Sequence, residues 1–209
     1  VKIIAINGSP HKNGNTYTAL KTVTEQLEKN GIEVEFLHIG NKTIRGCMAC
    51  NACFKNQNER CVIDDVVNEC VQKMKYSDGF LLGSPVHYSG ISGTMKSFLD
   101  RVFYLANNGI FRHKVGAAVV AVRRSGGVTT FDQLNHYLHY AEMILPTSNY
   151  WNVIHGLEAD ESKQDAEGLQ IMRVLGNNMV WLLNLIENGK KNGLIEPSPE
   201  DKILTNFVR

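Results

Sequence analysis

Ile3-Ile4-Ala5-Ile6-Asn7-Gly8-Ser9-Pro10-His11-Lys12-Asn13-Gly14-Asn15-Thr16 is the stretch whose reading decides the fold. Its first residues form a short apolar run, largely β-branched, with no polar alternation. Such a run suits a strand buried on both faces, the situation of a strand inside a parallel sheet. Asn7-Gly8 stops the run, and a polar, glycine-bearing loop leads into residues 15–30, where Ala19, Leu20, Val23 and Leu27 recur at helical spacing. Asn30-Gly31 then reads as a helix C-cap. A strand, a polar loop and an amphipathic helix in this order make the first half of a parallel crossover.

The same alternation continues outward. Residues 32–39 predict a second strand, and Asp64-Asp65 opens a helix to about residue 76 with Val66, Val67, Cys70, Val71 and Met74 on one face. Residues 79–83 predict a third strand, and 92–105 a helix with Met95, Phe98, Leu99, Val102 and Phe103 inward. Residues 115–122 form a nearly all-apolar fourth strand, 130–145 a helix, 150–154 a fifth strand and 162–186 a long last helix. In that last helix Trp181, Leu182, Leu183 and Leu185 read as core. Asp100-Arg101 follows an apolar helix face and reads as a packing pair. Long crossovers between apolar strands require parallel pairing, hence an open α/β sheet with helices on both faces. We expect one domain over residues 1–190, including a cysteine-rich loop at 46–62, and a C-terminal tail over 191–209.

The chain has 209 residues, 43% hydrophobic and 21% charged, with 22 Lys and Arg against 21 Asp and Glu, for a net charge of +1. That length supports a core without staples. Near-neutrality argues against a polybasic partner of nucleic acid or membrane surfaces. No apolar run approaches the roughly 18 residues of a membrane span, and residues 3–6 are far too short for the core of a signal peptide. We expect a cytoplasmic protein with neither nucleic acid nor membrane as partner.

Ligands of open α/β sheets sit outside the carboxyl ends of the strands, so the loops after strands one, three and four carry the functional argument. The first loop is neither a Walker loop nor a G-x-G-x-x-G turn, because the glycine spacing and the Lys-Ser/Thr pair are absent. Its hydroxyls, amides and basic groups at a helix N-terminus can hold an anion; equally, Asn15 or Thr16 can serve only as N-cap. In residues 83–93, Pro85, Val86, His87 and Tyr88 offer a surface for a planar ring, or merely a cover for the core. In residues 123–130, Ser125, Gly126 and Gly127 allow close backbone approach to a ligand, or Thr129 or Thr130 simply caps a helix. Three such loops together favour a nucleotide. Lys12, Arg123 and Arg124 are the basic groups available to a further phosphate.

Cys47, Cys50, Cys53 and Cys61 follow one another at x2, x2 and x7 spacing. Closely spaced thiols in one loop can converge on a single centre. No Cys-Pro continuation follows, so the fourth cysteine serves that centre or none. An iron–sulfur cluster, a zinc ion and free or redox-active thiols all remain open on spacing. Cys70 lies on an apolar helix face and reads as a buried structural thiol. His136, His139 and nearby His113 do not fit a facial metal triad, lacking a carboxylate at matching spacing, and His136 and His139 read as residues near the surface or the site entrance.

Gly8-Ser9-Pro10 through Asn15-Thr16, then Gly83-Ser84-Pro85-Val86-His87-Tyr88 and Met95-Lys96-Ser97-Phe98-Leu99-Asp100-Arg101, resembles the NADPH-dependent FMN reductase family over roughly residues 1–155. The resemblance implies a flavodoxin-like α/β sandwich with a five-stranded parallel sheet in order 2-1-3-4-5. It implies that Ser9, His11, Asn15 and Thr16 meet the FMN phosphate, that Pro85, Val86, His87 and Tyr88 lie against the isoalloxazine, and that Ser125, Gly126 and Gly127 complete the site. Where the family commonly carries an arginine near Ser9, this chain has His11 then Lys12. The cysteine set resembles that of the iron–sulfur flavoprotein branch, which implies Cys47, Cys50, Cys53 and Cys61 as ligands of a [4Fe–4S] cluster. The implied activity is NAD(P)H-linked, FMN-dependent oxidoreduction or electron transfer, with chemistry at flavin N5 and no catalytic side chain. Implied partners are a small acceptor or a protein such as ferredoxin, and a second copy in a homodimer or homotetramer. The alternatives are a cluster-free NAD(P)H:FMN or quinone reductase and a non-enzymatic electron carrier or redox sensor.

Overall fold

The computed structural model describes residues 1–106 and 109–205; the end of the expected tail, 206–209, lies outside them. Strands β1 (Lys2–Asn7), β2 (Glu33–His38), β3 (Gly79–His87), β5 (Val115–Val122) and β6 (Val153–His155) lie in the order β2-β1-β3-β5-β6. Every adjacent pair among these is parallel. Counted among the parallel strands alone, this is the expected 2-1-3-4-5. The addition is β4 (Gly90–Ile91), a short antiparallel partner for the end of β3.

Side-chain alternation along the strands builds two cores. Ile4 and Ile6 of β1, Phe80 and Leu82 of β3, and Ala118, Val120 and Val122 of β5 pack under α3 (Val66–Lys75), α4 (Gly93–Leu105) and α5 (Gly127–Tyr140). Ile3, Leu81, Val115, Ala117, Val119 and Ala121 point the other way, under α1 (Asn15–Lys29) and α6 (Ala166–Lys191). The helices start and stop for local reasons. Asp65 caps α3 by accepting the Val67 N–H at 3.0 Å, and Asp165 caps α6 by accepting the Gly168 N–H at 2.9 Å. Gly31, at φ +74°, closes α1 with its N–H on the Glu28 carbonyl at 3.1 Å, as Asn30-Gly31 predicts.

Several boundaries differ from the sequence pattern. β3 runs on to His87 because Ser84 and Pro85 still pair with Val120 and Ala121, and Val86 and His87 then pair with Ile91 and Gly90 of β4. The helix expected over 130–145 starts at Gly127 and ends at Tyr140, since Ile144 must return to bridge Val115 at the sheet edge. The last helix starts at Ala166, after a 3-10 turn at Glu161–Gln164. Within it Trp181 is 67% exposed, against the expectation of a core residue. The inward stripe is Met172, Leu175, Met179 and Leu183; at about 100° per residue, Trp181 stands on the opposite side from Met179. Leu185 likewise faces out.

Candidate functional site

The loop after β1 is held in shape by bonds to its neighbours. The Gly8 N–H donates to the Gly83 carbonyl at 2.8 Å, and the Ser92 hydroxyl donates to the Gly8 carbonyl at 2.8 Å. Asn7 clamps the loop from within, its Oδ1 accepting from Ser9 N at 3.0 Å and its Nδ2 donating to the Lys12 carbonyl at 3.0 Å. From β2, His38 Nε2 meets the Ser9 carbonyl at 2.8 Å. Gly40 passes so close that a Cβ there would stand 2.0 Å from the same oxygen. No side chain could replace it.

This fixed loop delivers the start of α1 with its donors open. Gly14, extended, occupies the N-cap, and among the described residues no side chain caps the helix and no acid sits in its first turn. The first-turn N–H groups of Asn15, Thr16 and Tyr17 therefore lack intrahelical acceptors. The positive end of the helix dipole adds to their pull on an anion. Neither Asn15 nor Thr16 is the cap. The Asn15 side chain instead reaches the loop after β6, donating to the Glu158 carbonyl at 3.0 Å and accepting from the Ser162 hydroxyl at 2.8 Å. Thr16 is buried.

An open cleft of about 800 Å³ lies here, lined by Ser9, His11, Lys12, Asn15, Thr16, Pro85, Val86 and His87 among others. Its size falls in the roughly 300–1,000 Å³ range of small-molecule sites. Arg123, exposed, joins the lining and adds a second fixed cation to Lys12. The remaining residues singled out from sequence lie outside this lining. Tyr88 and Ser89 form the two-residue turn between β3 and β4, both at positive φ (50° and 60°). Neither is the glycine or asparagine such turns favour. Tyr88 is fully exposed at the tip. Gly126, at φ +88°, caps α5 and packs on Ser89, where a Cβ would stand 2.7 Å from the Ser89 hydroxyl. Thr130 donates back to its carbonyl at 2.9 Å instead of capping the helix. Ser125 is exposed, and Gly127 is buried against Val153.

Ala121, Gly156, Leu157, Glu158 and Ala159 complete the cleft, and sequence reasoning missed them. The signal was available: residues 156–159 follow the fifth parallel strand, at the same end of the sheet as the other loops. Glu161 shapes this rim by accepting the N–H groups of Leu157 and Glu158 at 2.6 and 3.0 Å. Those bonds hold its carboxyl below the usual range.

The cysteine-rich loop crosses from β2 to α3 and contains a short helix, α2 (Ala52–Asn56). Phe54 packs edge-on to Tyr104 of α4, whose hydroxyl donates to Asn51 Oδ1 at 2.5 Å. Cys47, Cys50, Cys53 and Cys61 line one pocket of about 20 Å³ together with Arg101, Tyr104 and Leu105. All four are free thiols. The Ala49 N–H donates to Cys47 Sγ at 3.4 Å, and burial pushes the Cys53 thiol up. Among the described residues, no three His, Cys, Asp or Glu side chains converge closely enough for one metal ion. Cys61 is fixed at both backbone atoms by the buried Asn68, which accepts its N–H at 2.7 Å and donates to its carbonyl at 3.0 Å. Arg101 is 2% exposed and pairs end-on with Asp65, at 2.5 and 2.9 Å, so the Asp100-Arg101 pair does serve packing.

Cys70 stands apart in the core, its thiol pushed up to about 12 by burial. His136 and His139 are exposed on α5, beside a second groove of about 740 Å³ where Trp151 leans on Phe131.

Comparison with known proteins agrees with this architecture. The NADPH-dependent FMN reductase family matches residues 1–158. An iron-sulfur flavoprotein of Methanocaldococcus jannaschii is 34% identical over 194 residues, covering 90% of this chain and 100% of that relative. One from Methanosarcina thermophila is 29% identical over 193 residues, covering 91% of this chain and 99% of its own length. Among solved structures, a flavodoxin, WrbA-like protein from Agrobacterium tumefaciens matches with a TM-score of 0.60 at 13% identity, covering 88% of this chain and 97% of that one, a likeness of fold. By fold and by sequence, the chain belongs to the NADPH-dependent FMN reductase family, in its iron–sulfur flavoprotein branch.

Proposed function

We propose that this chain is an NAD(P)H-linked FMN oxidoreductase that passes electrons onward through a [4Fe–4S] cluster held by Cys47, Cys50, Cys53 and Cys61. The observation that carries it is that these four cysteines, and not Cys70, line one pocket. Four cysteines are the ligand set of a [4Fe–4S] cluster; stoichiometric zinc in the purified protein would overturn that part of the reading.

The first-turn N–H groups of α1 and the Ser9 loop hold the FMN phosphate, with Lys12 supplying positive charge and His11 a ring nitrogen for hydrogen bonding. Pro85, Val86 and His87 lie along the isoalloxazine, and Tyr88 closes over it from the hairpin tip. Gly126 sets the position of that hairpin through Ser89, and Ser125 and Gly127 complete the site from the loop after β5. Arg123 attracts the phosphates of the nicotinamide. When bound, FMN supplies two-electron chemistry with the nicotinamide and one-electron chemistry with the acceptor, at its N5. No side chain need act as nucleophile or general acid. Met95 of α4 meets Gly8 at the flavin end, and Tyr104 lines the cysteine pocket. The nine-residue offset between them along α4 is roughly 14 Å at 1.5 Å per residue.

Anaerobic purification tests the reading. The protein should carry the two visible bands of oxidised flavin and about four irons per chain, and should oxidise NADPH or NADH in the presence of an acceptor. A preparation that refuses added FMN would overturn it. Flavin with nicotinamide turnover but no iron would leave the cluster-free reductase; reduction by ferredoxin alone would leave the electron carrier.

A further inference from the structure

Arg101 does more in this structure than its packing requires. Its side chain is buried on α4, and four contacts engage the two terminal nitrogens. Nη1 donates to Asp65 Oδ2 at 2.5 Å and to the Arg45 carbonyl at 3.4 Å. Nη2 donates to Asp65 Oδ1 and to the Ile63 carbonyl, each at 2.9 Å. These bonds satisfy the ion pair and tie α4 to the start of α3. They leave out Nε, the single buried side-chain nitrogen or oxygen among the described residues with no hydrogen-bond partner. A buried N–H without an acceptor is costly and rare, so its surroundings bear on its purpose. Arg101 and Cys61 line the same pocket, with Cys47, Cys50 and Cys53. Cys61 is itself immobilised by Asn68.

We propose that Arg101 is a positioning residue for the cysteine centre: its Nε–H is held for an anionic sulfur, and its fixed positive charge, balanced by Asp65, sets how readily the centre accepts an electron. This inference rests on the cluster reading above. With FMN and a cluster bound, a one-electron transfer from reduced flavin would add one negative charge to the pocket that Cys47, Cys50, Cys53 and Cys61 line and would oxidise the flavin by one electron, with no bond formed or broken. A cation in the wall of that pocket favours the more negative state, and the Asp65 carboxylate paired with it opposes that state. A guanidinium keeps its charge at every working pH, so the bias is permanent.

Reduction potentials test this, read by electron paramagnetic resonance during anaerobic dithionite titration of the full chain carrying FMN and cluster. Arg101→Gln should make reduction about tenfold less favourable, which for one electron is about 59 mV lower. Asp65→Asn, which keeps the capping oxygen and removes the charge, should move the potential the opposite way by a similar factor. The double variant should return close to the parent. Shifts of the same sign in both single variants, or no shift in iron-loaded protein, would overturn the proposal, because a merely structural role predicts no opposition of sign. Should Arg101→Gln fail to fold, Asp65→Asn decides alone: a rise supports the proposal, and an unchanged or lower potential sinks it. Parent protein that binds FMN but no iron would instead remove the cluster reading, and this inference with it.

Discussion

Gly126 and Cys70 illustrate how single positions are constrained from opposite directions. Gly126 is held at φ +88° with Ser89 pressed against the place a Cβ would occupy. Gly126→Ala therefore meets both left-handed strain and a clash with backbone. The strain alone costs about 1–2 kcal/mol, and displacing the Ser89 turn should bring the loss to about 3 kcal/mol. Gly31, at φ +74° with nothing within 4 Å, isolates the first effect; Gly31→Ala should lose only about 1 kcal/mol. Urea unfolding of the two variants checks the difference, and equal losses would refute the role given to Ser89. Cys70 is constrained by solvation. Burial raises its thiol from the ordinary 9.0 to about 12, favouring the neutral form in the folded state. A raised folded pKa contributes stability that is complete below the unfolded value, near 9.0, and is lost as pH climbs towards about 12. The stability difference between the parent and Cys70→Ala should therefore shrink between pH 8 and pH 11. A pH-independent difference would mean that the thiol ionises as easily inside as out.

The elements differ in how much of their placement is local. β5 is legible from end to end because all of its residues are buried, and only an uninterrupted apolar run satisfies that. α3 is legible at its start, where Asp65 precedes the apolar face. Its cap, however, does two jobs, because the same carboxylate neutralises Arg101 from α4. Asp65→Ala removes a cap worth about 1 kcal/mol and leaves a buried cation unpaired, a loss of about 3–5 kcal/mol. Asp65→Asn keeps the capping oxygen but removes the charge, so it should recover only about the 1 kcal/mol of the cap; an Asp65→Asn midpoint equal to the parent's in a denaturant titration would contradict the ion-pair argument. The parts that sequence periodicity misplaced depend on distant partners. The start of α5 is set by Gly126 packing against Ser89 of another loop. Residues 156–159 join the cleft through the Asn15 amide, a bond between residues 143 apart in the chain. No local window contains either signal. Trp181 differs for another reason: Trp181, Leu182, Leu183 and Leu185 fall within five residues and cannot all share one face of a helix, and the stripe set by Met172, Leu175 and Met179 decides which of them turn in.

At the scale of the whole molecule, the two candidate sites depend on the core very differently. The cleft is built from the ends of β1, β3, β5 and β6, the loops that join the sheet to its helices. Its shape is therefore as firm as the sheet. The cysteine loop lies outside both cores; only Cys53 and Cys61 among its thiols pack against one of them, and Cys47 and Cys50 are exposed. Disturbing that loop should leave the sheet intact. Cys50→Ser exchanges one exposed thiol for a hydroxyl of similar size, and surface changes of this kind usually shift stability by no more than about 0.5 kcal/mol. The variant should keep its FMN stoichiometry and its unfolding midpoint while losing most of its iron. Oxidation of nicotinamide with a two-electron acceptor should then survive, and one-electron delivery to a ferredoxin-type acceptor should fall at least tenfold. Loss of FMN together with iron would mean that the two sites form one cooperative unit. The sheet argues against that outcome, because the Ser9 loop takes its bonds from Asn7, His38, Gly83 and Ser92, none of which belongs to the cysteine loop.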